Sequence, residues 1–141
     1  MSIRFFIYGL LGWGLEVAYT GLGSAMQGSP RLEGHTYLWM FPIYGLAVFL
    51  EPLHNAMRPL HWYLRGLVWV LVIWVLEYAT GAVIRSLVGT SPWVYREGWQ
   101  VNGLIRLDMA PLWFVVGLLF ERLHDWLTEF EFTQADNLKT K

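Results

Sequence analysis

The sequence contains no cysteine. Disulfides, thiolate nucleophiles and sulfur-ligated metals are therefore excluded, and nothing marks the redox compartment. Charge is also scarce: Asp, Glu, Lys and Arg make up 15% of 141 residues, against about a quarter in an ordinary soluble domain. The ten Lys and Arg are scattered and the formal net charge is −1, which argues against nucleic acid as a partner. No Walker motif occurs, and no pair of His has the spacing of a local metal site, so neither a metal nor a cofactor is expected. Strict alternation of apolar and polar residues is absent, and the apolar stretches are too long for barrel strands.

What remains is apolar and aromatic. Hydrophobic residues reach 55%, with nine Trp, seven Tyr and eight Phe. Four apolar stretches, roughly 5 to 26, 37 to 53, 66 to 84 and 105 to 123, are separated by segments holding most of the Gly, Pro and charge. Each approaches the ~20 residues that a helix needs to cross ~30 Å of hydrocarbon, although the second is short. The expected fold is all-α: a multi-pass integral membrane protein with four transmembrane helices, forming one membrane domain over residues 1–127. The first stretch has no short apolar core followed by a small-residue cleavage site, so it reads as a retained helix rather than a signal. Arg4, Arg58, Arg65, Arg122, Lys139 and Lys141 fall on one side of such an arrangement, and Arg31, Arg85, Arg96 and Arg106 on the other. That excess predicts both termini in the cytoplasm. The polar tail, residues 128–141, reads as a solvated or frayed end.

An internal repeat runs through the chain. "WGLEVAYTG" at 13–21 matches "WVLEYATG" at 74–81 through Trp13/Trp74, Leu15/Leu76 and Glu16/Glu77. "GHTYLWMFPIYG" matches "GLIRLDMAPLWF" through Gly34/Gly103, Leu38/Leu107, Met40/Met109 and Pro42/Pro111. "EPLHN" at 51–55 matches "ERLHD" at 121–125. The order predicts two duplicated helical hairpins, residues 1–60 and 61–127.

The repeat carries an acid in an apolar setting each time. An ionised carboxylate facing lipid at mid-membrane costs at least ~2.5 to 3.5 kcal/mol, so such groups face the bundle interior or water and tend to mark function. On a helix Thr20 lies one turn beyond Glu16 and Thr80 one turn beyond Glu77, while Trp13 and Trp74 lie one turn before. Hydroxyl and indole donors are thus expected beside each acid, either as a ligand, ion or proton site or as packing hydrogen bonds. Pro42 and Pro111 are expected to interrupt helices and to free the carbonyls of Leu38 and Leu107. Asp108 is a third candidate for a buried acid, with Trp39 as its counterpart. Arg85 or Arg106 is the expected cation for Glu77 or Asp108, able to take an anionic ligand by a bidentate contact. Glu51 and Glu121, near helix ends, are expected at the interface, with His54 and His124 close enough to pair with them. Trp93, Tyr95 and Trp99 place the loop "GTSPWVYREGWQVNG" at headgroup depth, as a re-entrant or interfacial cap.

Together "YGLLGWGLEVAY", "GHTYLWMFPIYG", "LEYATG", "PWVY" and "NGLIRL" resemble the ABC-transporter permease family of the CmpB type and its eukaryotic transmembrane-protein-229 relatives. The resemblance covers about residues 5 to 124. It implies that Glu16, Tyr44, Gly45, Glu77, Thr80, Gly81, Pro92, Trp93, Tyr95 and Gly103 occupy recurring family positions. Two positions depart from the pattern: Val94 stands where the family's loop usually has Asp, and Leu104 where the bacterial branch often has Arg after Asn102-Gly103. Arg106 is placed to substitute for that Arg. The resemblance implies a transport-related membrane component, with membrane lipids around it, a homo-oligomer or larger membrane complex as its assembly, and a separate ATPase if ATP drives it. Two other readings stay open. One is a structural or regulatory membrane protein; the other is an intramembrane enzyme acting on a lipid or isoprenoid, with Glu77 or Asp108 as acid or base and Arg85 or Arg106 on a phosphate.

Overall fold

The computed structural model describes residues 2–139, with side chains over 3–133. Helix α1 spans Ser2–Met26, α2 spans Met40–Gly45 and α3 spans Glu51–Met57, with a 3-10 turn, Leu46–Leu50, joining the last two. Helix α4 spans Trp62–Val88 and α5 spans Ala110–Lys139; between them lie β1 (Gln100–Val101), β2 (Ile105–Arg106) and a 3-10 turn, Leu107–Met109.

Two of these helices are long and apolar enough to cross a membrane, over Ile3–Met26 and Trp62–Val88. Only 17% of the apolar window of each is buried within the protein, whereas a soluble core helix would be mostly covered. Ile3, Phe6, Leu10 and Leu22 on α1, and Leu67, Leu71, Val75 and Leu87 on α4, are exposed. Apolar surface on this scale calls for lipid or a partner.

The second and fourth apolar stretches differ from expectation. Residues 40–57 form two short α-helices around the 3-10 turn rather than one continuous α-helix. Helix α5 begins at Ala110 and continues as helix to Lys139, through the polar tail expected as a solvated or frayed end.

The prolines account for part of this pattern. Pro42, Pro52 and Pro111 each lie in the first turn of a helix, where an N–H is not needed for the intrahelical ladder. They start helices instead of interrupting them. Accordingly the Leu38 carbonyl accepts from Phe41 N–H at 3.3 Å, and the Leu107 carbonyl accepts from the N–H of Ala110. Neither is the freed carbonyl that a mid-helix proline would leave.

By contacts the chain divides into two compact units, Met1–Pro52 with Ile84–Trp93, and Leu53–Val83 with Val94–Lys141. In the first, α1 packs on α2 through glycines. A Cβ on Gly12 would lie 2.3 Å from the Tyr44 side chain, and one on Gly45 would lie 2.6 Å from Phe5. Phe41 sits edge-on to Phe5 and Trp13, with ring centroids 6.1 and 5.7 Å away. In the second unit α4 meets α5 by the same device. A Cβ on Gly66 would lie 2.2 Å from Phe114, and one on Gly117 would lie 2.2 Å from Trp69.

The second unit also holds an antiparallel β-hairpin, with Gln100 opposite Arg106 and Val101 opposite Ile105. Asn102 and Gly103 both take left-handed conformations, φ 52° and 70°, and Leu104 N–H closes the turn on the Val101 carbonyl at 3.0 Å. Two successive left-handed residues are what a tight hairpin matching the strand twist requires, and Asn-Gly supplies them at least cost. The end of the loop expected as a cap thus forms the first strand and turn of this hairpin, with Leu104 buried behind it; Trp93, in the first unit, is buried as well.

Candidate functional site

Glu16 lies in the middle of α1 and is partly buried. Its Oε2 accepts from the Thr36 hydroxyl at 2.8 Å and from the Tyr44 hydroxyl at 2.9 Å. Neither the neighbouring Thr20 nor Trp13 supplies a donor to the carboxylate, contrary to expectation. Thr20 Oγ1 accepts from His35 N–H at 2.8 Å and lies 2.9 Å from the His35 carbonyl, while Trp13 Nε1 donates to the Tyr37 carbonyl at 2.9 Å. These bonds fasten residues 35–37 along α1, and the close approach of Gly34 to the Val17 carbonyl allows it: a Cβ there would stand 2.3 Å from that oxygen. Threonine and tryptophan therefore act on the acid indirectly, by holding the segment that carries Thr36.

Glu77, in the middle of α4, has a related setting. Its Oε1 accepts from the Tyr95 hydroxyl at 3.2 Å. Trp74 Nε1 donates to the Arg106 carbonyl at 3.2 Å, and Thr80 Oγ1 donates to the Leu76 carbonyl at 2.6 Å. Again the indole pins an approaching segment, here the hairpin. Tyr95 N–H bonds the Gly103 carbonyl at 2.8 Å, and Asn102 Nδ2 donates to Tyr78 Oη at 2.9 Å, so the turn and the tyrosine are fixed together on α4.

Asp108 is exposed, not buried, in the turn ahead of α5. Arg106 makes an ion pair with it, and the guanidinium carbon lies 6.0 Å from the Tyr95 ring centroid. The Arg106 hydrogen bond holds the Asp108 carboxyl below its ordinary value of 3.8, aided by the Trp99 N–H, while partial desolvation opposes the shift. Glu77, Tyr95, Arg106 and Asp108 thus form a chain of polar groups along one end of the second unit. Arg85 sits elsewhere in this scheme: in the first unit it donates to Ser91 Oγ.

The most buried polar residues lie at other positions. In the first unit Arg4 Nη1 lies 3.0 Å from Glu51 Oε1, which also accepts from the Tyr8 hydroxyl at 2.7 Å. In the second, Arg65 Nε lies 3.1 Å from Glu121 Oε2, and Trp69 Nε1 donates to Glu121 Oε1 at 2.8 Å. Glu121 is only 3% exposed, a correction to its expected interfacial place. His54, 2% exposed, stands with Nδ1 3.4 Å from Glu121 Oε1 and Nε2 3.2 Å from Asp125 Oδ1, and Arg58 pairs with the same Asp125 oxygen. The one hint in the sequence was the repeated Glu-x-Leu-His, since Arg65 and Trp69 approach from a distant helix.

No solved structure matches the chain. A family described as "Putative ABC-transporter type IV", of the CmpB kind, matches residues 3–139. The match runs over nearly the whole sequence, including both acid-bearing helices and the hairpin, and the chain belongs to that family.

Proposed function

We propose that this protein is the membrane-embedded, permease-like component of a transport system, and that Glu16 and Glu77 form its polar intramembrane sites. The observation that carries the reading is that each glutamate, set mid-helix among apolar residues, accepts from a tyrosine hydroxyl outside its own helix, while the tryptophan one turn before it pins a backbone carbonyl of the chain approaching that helix. A carboxylate that merely needed satisfaction in lipid could be replaced by an apolar residue at no loss. Retaining it in an ordered hydroxyl shell fits a group that binds a proton or a small ligand.

The wider architecture in this reading has four crossings: α1, residues 40–57, α4 and the apolar part of α5 from Ala110 to about Leu123. Two duplicated hairpins, 1–60 and 61–127, are supported by contacts that recur at matching places. Arg4–Glu51–Tyr8 corresponds to Arg65–Glu121–Trp69, and Trp13 to Tyr37 corresponds to Trp74 to Arg106. The termini face the cytoplasm by the positive-inside rule. ATP-driven transport would need a separate ATPase, since the chain has no Walker motif, and a unit this small would work within an oligomer or larger complex.

The test is native mass spectrometry of the protein released from native-lipid nanodiscs, wild type beside a Glu16→Gln, Glu77→Gln double variant. A defined small molecule or lipid retained by the wild type and lost from a still-folded variant is the expected result. If both carry only bulk lipid, the glutamates are packing elements and the transport reading fails.

A further inference from the structure

We propose that His54, His124 and Asp125 form a binding site for a divalent transition metal of zinc-like preference. Sequence spacing conceals it, because His54 comes from α3 and the other two from α5. In the fold the two imidazoles meet edge to face, with centroids 5.3 Å apart, and one ligand atom from each of the three residues lies within 4.8 Å of the others. Both histidines are buried, 2% and 5% exposed, so their rings are held in place rather than sweeping through solvent.

The surroundings have the form that metal-binding histidines share. A ligating imidazole usually gives its second nitrogen to a carboxylate, which fixes the tautomer and aims the other nitrogen at the metal. Glu121 Oε1 lies 3.4 Å from His54 Nδ1, near it but without hydrogen-bond geometry, and is itself held by Trp69 and Arg65; His54 Nε2 faces Asp125. Two imidazoles and a carboxylate, with no sulfur, suit zinc and its neighbours better than magnesium, calcium or copper(I). The ligand atoms must draw in by about 1 Å to reach metal–ligand bonds of ~2.0 to 2.2 Å. The Asp125 side chain, 38% exposed, has room to make that movement.

In the structure a guanidinium stands where the cation's charge would be. His54 Nε2 lies 3.2 Å from Asp125 Oδ1, and Arg58, whose side chain is 50% exposed, pairs with the same carboxylate. A metal entering the site takes the place of these contacts at Asp125, so its binding competes with Arg58.

The test is calorimetric titration of Zn²⁺ into the tag-free, chelator-treated full chain in lipid nanodiscs. The expected result is one ion per chain, with affinity lowered about ten-fold or more in Asp125→Asn and in His124→Gln. Arg58→Gln should instead tighten binding several-fold, a gain that misfolding cannot mimic. Absence of saturable binding overturns the proposal. So does binding that Asp125→Asn and Arg58→Gln both leave unchanged, which would reduce the cluster to a buried hydrogen-bond network.

Discussion

A methyl group on Gly66 would stand 2.2 Å from the Phe114 ring, a distance no real Cβ tolerates. Gly66→Ala should therefore destabilise the α4–α5 contact by about 1 to 3 kcal/mol, the usual cost of overpacking. Thermal unfolding in detergent would measure this, and Phe114→Leu in the same background should recover part of the loss by vacating the space. Trp74→Phe tests a different kind of contact. It keeps the aromatic surface but removes the donor to the Arg106 carbonyl, and a loss of about 0.6 to 1.7 kcal/mol is expected for a hydrogen bond inside a membrane bundle. An unchanged melting curve would mean that the indole contributes only by packing. These residues also mark where sequence reasoning stopped. Glu16 and Glu77 were legible because a carboxylate among apolar residues is costly, but their donors were not. The hydroxyls come from Thr36, Tyr44 and Tyr95, and the nearer Thr20, Thr80, Trp13 and Trp74 turn to backbone carbonyls. Helical spacing identifies neighbours on one helix; it says nothing of a segment that folds back on it.

At the scale of elements, α1 and α4 were readable from their apolar length, and the segments between helices were not. The hairpin at 100–106 escaped notice because its strands are two residues each, too short for any alternation to register. Asn102-Gly103 was the available signal. Prolines misled in the other direction, since a proline within an apolar run looks like a break until the helix is seen to begin there. Pro111→Ala should consequently change stability by no more than about 0.5 kcal/mol, as for a substitution outside any strained or packed feature. A mid-helix break would have made the same change strongly stabilising. The turn before α5 responds to acid. Arg106 depresses the Asp108 carboxyl, so the support that this group gives the folded turn is complete above its ordinary value of 3.8 and is lost as the pH falls through the lower folded value. Hydrogen exchange corrected for intrinsic rate should show the Trp99 amide, which donates to Asp108, losing protection over that range. In Asp108→Asn the protection should be lower already at neutral pH and flat below it.

For the whole molecule, the absence of cysteine turns into an experimental advantage. Single cysteines introduced one at a time report sidedness without background. With four crossings, Ser29→Cys and Gly98→Cys should label with a membrane-impermeant reagent from one side of sealed vesicles, and Leu60→Cys and Thr133→Cys from the other. Labelling of Ser29→Cys and Leu60→Cys from the same side would remove the second crossing, the part of the architecture where the helix is broken into pieces. The number of crossings was suggested by hydropathy alone, while the ring-and-glycine contacts within each unit emerged only from the fold. One of those contacts is inverted between the α1–α2 pair and the α4–α5 pair. Phe5 fills the space left by Gly45, whereas at the corresponding places Gly66 receives Phe114. A chain assembled from two copies of the first half would keep its own ring-and-hollow fit. A chimera that put α1 in place of α4, however, would set one ring against another, and the reciprocal exchange would leave two hollows facing. The two helix pairs are lock and key cut in opposite senses, so neither α1 nor α4 can serve as a spare part for the other.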